Sequence, residues 1–342
     1  MRRILVAVLA PMVFMVALSA IGPSPASGVG PAATGLYSGP GYVSEHDAFA
    51  AKVPAPVPYA VDFLESRYGW NEMLHPWALD AWVPWVQAVP DRRLVLSVPM
   101  LPASAQGQLA AGAAGSFDSY FRSLAQSMVA RGLGNSVVRV GWEANGSWFA
   151  WNATQDPASW KAFYRRIVLT MRSVSGAGFS FDWTANPGTS LSFASFYPGD
   201  DVVDIVGLDV YDIKWQDTTS SPEQRWNFVL NQFNGLIAHR DFAAQHGKPL
   251  SFPEWGLYAK GDEQGGGGDN PYFIDRMADW FANNNVAYQA YFSWGTSDLS
   301  SFPNGKARYS ARFATTASTI TTVTTQPTST TTKVCTRRRC RR

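Results

Sequence analysis

The sequence predicts an α/β fold, a (β/α)8 TIM barrel occupying residues 27–313 as one domain, and two observations carry that prediction. Short apolar or β-branched runs alternate with longer stretches of helical periodicity, which is the pattern of βα units wound around a parallel sheet. There are eight such runs, each nearly continuously apolar, as strands covered on both faces must be. They fall at 35–37, 59–63, 94–99, 137–142, 179–183, 205–210, 250–253 and 288–294. No repeat longer than one βα unit is visible, and the body is long enough to bury a single large core.

The intervening helices carry their own start signals. Asp156-Pro157 supplies a cap and a first-turn proline ahead of Trp160, Phe163, Ile167 and Met171 on one face. Asn270-Pro271 repeats the device before Phe273, Met277, Trp280 and Phe281. Ser116 precedes Phe117, Tyr120, Phe121, Leu124 and Met128, again at helical spacing. These aromatic stripes are expected to fill the core. The 14 Trp, 13 Tyr and 20 Phe of the chain are what a barrel of this size uses for packing, with some left to line a cleft.

Both ends differ from the body. Residues 1–26 open with Arg2-Arg3, continue through the apolar run 4–21 and close on Ser24-Pro25-Ala26, the form of a cleavable signal peptide. Residues 314–342 pass through a Thr/Ser-rich stretch to a basic end holding Cys335 and Cys340, the only cysteines. That composition buries nothing and predicts a disordered linker and tail, with contact to a cell surface as one use of its charge. Of 28 Lys and Arg, two lie in the opening segment and six in the last ten residues. The body therefore sets 20 cations against 26 carboxylates, a formal −6. That balance gives no nucleic-acid footprint. A monomer is expected, outside the cell and with no membrane span once the signal is removed.

Two glutamates carry the chemistry. Arg139-Val-Gly-Trp142-Glu143-Ala-Asn145-Gly146 and Leu250-Ser-Phe-Pro253-Glu254-Trp255-Gly256 each run through an apolar strand to a carboxylate. A carboxylate at the end of a buried strand is costly unless it is paired or has work to do. In a (β/α)8 barrel the carboxyl ends of the strands form one face, so Glu143 and Glu254 can converge although 111 residues separate them. Two such groups are what glycosidic cleavage requires, at about 5–5.5 Å for retention and wider for inversion.

The segment from Arg139 to Trp151 resembles the acid/base region of glycoside hydrolase family 26, whose pattern is Arg, then His-Glu-Met-Asn-Gly, then Trp-Phe-x-Trp. Pro253-Glu254-Trp255-Gly256 is similar to the family's nucleophile strand. The runs 203–212 and 35–40 resemble its sixth and first strands. The resemblance implies a retaining hydrolase in which Glu143 is the acid/base and Glu254 the nucleophile. Tyr211 is then the sixth-strand tyrosine that steadies the nucleophile. Trp142, Asn145, Trp148, Tyr211 and Trp294 contact sugar, and Arg139 and Asp209 support the carboxylates. The chain departs from the pattern at Trp142, where the family has His, and at Ala144, where it has Met. A Trp ring nitrogen can donate but not accept, so the sugar recognised there can differ.

Other signals are blander. Asp204, Asp209 and Asp212 are expected to pair with buried Arg or backbone donors. His46, His75, His239 and His246 make no metal set, and His239 and His246 are expected to face solvent. Residues 265–268, flanked by Asp262, Glu263 and Asp269, read as a flexible connection, with a mobile lid or weak cation site as alternatives. No Gly-x-Ser-x-Gly elbow follows a strand, and nothing cradles a phosphate. The expected function is a secreted, cofactor-free endo-glycoside hydrolase acting on a β-linked polysaccharide, mannan-like first. The alternatives are β-glucan, xylan or a microbial exopolysaccharide as substrate, or a non-catalytic carbohydrate-binding protein.

Overall fold

The computed structural model describes residues 32–314 apart from 54, 68, 75–76 and 262–263. The expected signal segment 1–26, the tail with its two cysteines, His75, Asp262 and Glu263 all lie outside the described residues. The eight expected strands are present: β1 Ala33–Tyr37, β2 Tyr59–Phe63, β3 Arg93–Val98, β4 Val137–Val140, β5 Ser180–Ala185, β6 Ile205–Leu208, β7 Leu250–Gly256 and β8 Val286–Phe292. A two-residue extension, Val210–Tyr211, continues β6 along β7. Neighbours pair in parallel from β1 to β6; β6 then pairs with β7, β7 with β8, and β8 with β1. The sheet therefore closes, and no edge is left unpaired.

Alternation along the strands sorts the residues into a helix-facing layer and a barrel interior. In β4, Val138 and Val140 join the large cluster under the helices, while Val137 joins Val61 and Val95 in a smaller cluster. Those three valines lie in register across β2, β3 and β4. Two residues further on, Ser97 and Arg139 are again in register. The interior thus has an apolar lower layer and a polar layer above it, facing the carboxyl ends of the strands.

The helices obey their predicted caps in two cases. Asp156 accepts from the Ser159 N–H at 2.9 Å to open helix Pro157–Arg172, whose Trp160, Phe163, Ile167 and Met171 are buried. Asn270 does the same for Phe273 and helix Pro271–Asn283. Ser116 does not cap: the next helix begins at Asp118, and the Ser116 N–H closes the preceding turn on the Ala111 carbonyl. His239 also differs from expectation. It is fully buried with Nε2 2.9 Å from the Val206 carbonyl, and desolvation pushes it down to about 4, so it stays neutral. His246 is partly buried and meets Asp200.

Candidate active site

The polar layer is organised by Arg139. Its Nη2 donates to Asp209 Oδ2 at 2.6 Å and to Glu254 Oε1 at 3.0 Å, Nη1 to Ser97 Oγ at 2.9 Å and Nε to Thr184 Oγ1 at 3.2 Å. Burial opposes its charge, but Asp209 and Glu254 outweigh that and hold the guanidinium above its ordinary range. Below it, Asp182 accepts from Thr184, Ser251 and Tyr288 inside the barrel. Burial pushes both Asp182 and Asp209 upward.

Glu254 lies within β7, not at its end. Ser251 points inward to Asp182, and strict alternation would then turn residue 254 toward the helices. A bulge prevents this. Phe252 pairs with Gln289 and Trp255 with Tyr291, so three steps on β7 match two on β8. Pro253, which has no N–H to donate to a ladder, sits in that extra step. The phase reverses: Trp255 packs outward on Tyr309 and Phe313, and Glu254 enters the barrel. There it is 8% exposed, with Tyr211 donating its hydroxyl to Oε2 at 3.0 Å. Burial and the Glu254 charge raise the Tyr211 phenol well above its usual value, so it remains a donor.

Glu143 is reached differently. β4 stops at Val140, three residues short of it. Gly141 and Glu143 both take positive φ, 55° and 51°. At Gly141 an added Cβ would fall 2.4 Å from Met100 Sδ, so only glycine fits. At Glu143 the left-handed backbone costs a non-glycine residue about 1–2 kcal/mol, a strain typical of functional positions. The Glu143 N–H bonds the Thr184 carbonyl at 2.9 Å, which fixes the turn against β5. Its carboxylate accepts from Asn186 Nδ2 at 2.5 Å and Trp148 Nε1 at 3.1 Å. Desolvation, and then the charge of Glu254, push it up to about 7. The two carboxylates are thus near enough to act on one another.

That cleft is a cavity of about 520 Å³ whose lining includes Glu143, Trp148, Asn186, Asp209, Tyr211, Trp215, Tyr258 and Phe292. The structure therefore brings together Glu143, Trp148, Tyr211, Asp209, Arg139 and Glu254. Two expected sugar contacts, Asn145 and Trp142, are buried instead. Asn145 is 1% exposed, and its amide is spent on Asn186 and Thr189, so it braces Asn186 instead of meeting a ligand. Trp142 is buried among Phe63, Phe149 and Trp151, with no open ring face. Trp294, 42% exposed, follows β8 and meets the edge of Tyr37, which stacks on the cleft residue Phe292. Sequence reasoning missed Asn186, Trp215 and Tyr258. Asn186 was findable, being the first residue past β5 on the catalytic face.

The remaining acids find plain partners. Asp204 pairs with Arg172, and Asp212 with Arg225. Asp269 is consumed by Asn304 and the Gly305 N–H at the start of the last helix. Residues 265–268 are not a loose connection, since Gly266 bridges both Ile213 and Lys260. Among the described residues no group of three or more His, Cys, Asp or Glu could hold a metal, and no helix is long and apolar enough to cross a membrane.

A closed (β/α)8 barrel with paired carboxylates near the carboxyl ends of its strands is an arrangement on which glycosidic cleavage can be built. The family model for Glycosyl hydrolase family 26 matches residues 133–240, from the turn before β4 through β6 to the helix beyond. A mannan endo-1,4-beta-mannosidase of Bifidobacterium adolescentis is 33% identical over 180 residues, covering 46% of this chain and 17% of that protein. One from Bacillus subtilis is 30% identical over 115 residues, covering 30% and 32%. The chain thus spans a third or less of these curated relatives. A Bacillus subtilis mannanase structure aligns at TM-score 0.57 and 18% identity, covering 83% of this chain and 85% of that one. A modular endo-beta-1,4-mannanase from Cellulomonas fimi aligns at 0.58 and 19%, covering 81% and 70%. The chain is thus similar in sequence to glycosyl hydrolase family 26 over residues 133–240, and it shares the fold of those mannanases.

Proposed function

We propose that the protein is a retaining endo-glycoside hydrolase acting on a β-linked polysaccharide, β-mannan first. The observation that carries this reading is the unequal treatment of the two carboxylates. Glu254 is gripped by a cation and a phenol, which hold its oxygens in place as a nucleophile needs. Glu143 is raised to about 7, which keeps the proton an acid must donate. In the first step Glu254 attacks the anomeric carbon, the glycosidic C–O bond breaks, and Glu143 protonates the departing oxygen. In the second, Glu143 takes a proton from water, the water oxygen attacks the same carbon, and Glu254 is released. A carbohydrate-binding protein without turnover would gain nothing from two desolvated carboxylates in one cleft. Mannan comes first from the names of the relatives. Export rests on Arg2-Arg3 and the apolar run that follows.

A panel of soluble mannan, mixed-linkage β-glucan, xylan and microbial exopolysaccharide tests the reading, with Glu254→Ala as control. Cleavage in the wild type alone, with the β-anomer as first product by NMR, is expected. Binding without cleavage in both proteins overturns it, and an α-product overturns retention.

A further inference from the structure

Helix Pro222–Asn231 stands behind the cleft wall and sends one side chain forward, Arg225, which is 3% exposed. Its Nε donates to Asp212 Oδ1 at 2.8 Å, and its Nη2 to the carbonyls of Asp212 and Gly265, each at 2.7 Å. Nη1 reaches the Asp217 carbonyl at 3.0 Å. The second oxygen of Asp212 accepts from Asn270 Nδ2 at 2.7 Å. One guanidinium therefore grips the backbone of two catalytic-face loops, the one after β6 and the one after β7. The loops also bond one another, Lys214 N–H to Gly265 O at 3.1 Å and Gly267 N–H to Asp212 O at 3.0 Å. The glycines make this approach possible: a Cβ on Gly267 would fall 2.0 Å from Asp212 Oδ2, and one on Gly266 2.1 Å from the Ala259 carbonyl.

Each gripped loop contributes to the cleft, Trp215 from the first and Tyr258 from the second, while Arg225 does not line it. Trp215 is 63% exposed, a large apolar surface left open to the cavity. The same cavity is lined by Glu143 and Trp148, from beyond β4. Resting on the proposed reaction, in which Glu143 protonates the departing oxygen, the sugar that carries that oxygen occupies the space beside Glu143. We infer that Arg225 is a positioning residue that fuses the two loops into one wall, and that Trp215 on this wall selects substrates with a sugar on the leaving-group side of the scissile bond. Lysine cannot replace it, because a point charge lacks the fork that reaches three carbonyls and a carboxylate at once.

Two readouts test this on the full chain, with Arg225→Lys and Trp215→Ala. Hydrogen exchange reads the coupling without any substrate: Arg225→Lys should speed exchange at Lys214 and Gly267 together by about tenfold, with β4 and β7 unchanged. Unchanged exchange, or release of only one loop, overturns the coupling. Kinetics then compare an oligosaccharide extending past the scissile bond with an aryl glycoside of the same glycone. Each variant should raise KM for the oligosaccharide about fivefold to tenfold, cost the aryl glycoside less in kcat/KM, and add little in combination. Equal losses on both substrates, or fully additive losses, overturn the selection. A wild type that cleaves neither substrate removes the hydrolase reading and the selection with it, while the exchange result still decides the coupling.

Discussion

The two glutamates of the cleft are the same residue type in opposite surroundings. Glu254 sits inside a seven-residue strand, bonded by a fully buried arginine and by Tyr211. Glu143 sits on a left-handed turn past a shorter strand, bonded by an amide and by the indole of Trp148, itself 54% exposed. One carboxylate is hydrogen-bonded by a charge and the other by neutral donors, with Arg139 acting on it only from a distance. Burial therefore raises Glu143 to about 7, with the neighbouring charge adding to it. The difference is the one the proposed mechanism needs: a cation placed against one group, and the other left to feel desolvation.

Removing the compensated carboxylate should have the largest effect. Glu254→Gly is expected to lower turnover on the order of 10⁴-fold. Formate, which fits the vacated space as a detached carboxylate, should restore part of it on an activated aryl glycoside. Full activity without formate would remove Glu254 from the nucleophile's role and end the asymmetry.

The cation comes next. Arg139→Met leaves Asp209 and Glu254 without their shared cation, which should cost about 3–5 kcal/mol of stability. Burial already raises Asp209 above its ordinary value, and loss of the arginine that opposes this raises it further. The variant should then be closest to wild type at low pH and lose stability as pH climbs through that raised value. Urea denaturation at pH 5 and pH 8 reads this directly, and an equal deficit at both pH values would contradict it.

How much of this was legible in the residues differs between the two sides. The strands and the existence of both glutamates could be read from apolar runs ending in carboxylates. The orientation of Glu254 could not, because period-2 counting from Ser251 points it the wrong way and only the bulge at Pro253 corrects it. Arg139 was legible as a strand arginine needing a buried partner, but its choice of Asp209 and Glu254 depends on strands adjacent only in three dimensions. Asn145 was misread for a related reason: two residues past Glu143 in sequence, it turns away to hold Asn186, which does the bonding. The glycine run at 265–268 looked like a linker because composition does not reveal what a backbone without Cβ atoms is being packed against.

A smaller effect separates the two donors on Glu254. Tyr211→Phe deletes one hydrogen bond to a charged group and leaves Arg139 in place, so about 1.5–3 kcal/mol of transition-state stabilisation is at stake. Turnover should fall roughly tenfold to a hundredfold, in kcat more than in KM. A loss as deep as that of Glu254→Gly would mean that Tyr211 acts on the reacting atoms themselves.

The finest test is on the uncompensated side, where two substitutions should move the same titration in opposite directions. The charge of Glu254 raises Glu143, so Glu254→Gln should lower it; the Trp148 indole lowers Glu143, so Trp148→Phe should let it rise. For the wild type the alkaline limb of kcat/KM should lie near 7, since activity is lost as the acid gives up its proton with rising pH. In Trp148→Phe that limb should shift to higher pH. In Glu254→Gln, which is expected to be inactive, the fluorescence of Trp148 reports the titration through its bond to Glu143 and should move to lower pH. Shifts of the same sign in both variants would mean that a group other than Glu143 governs the limb. The contrast between the carboxylates would then have to be drawn from their positions alone.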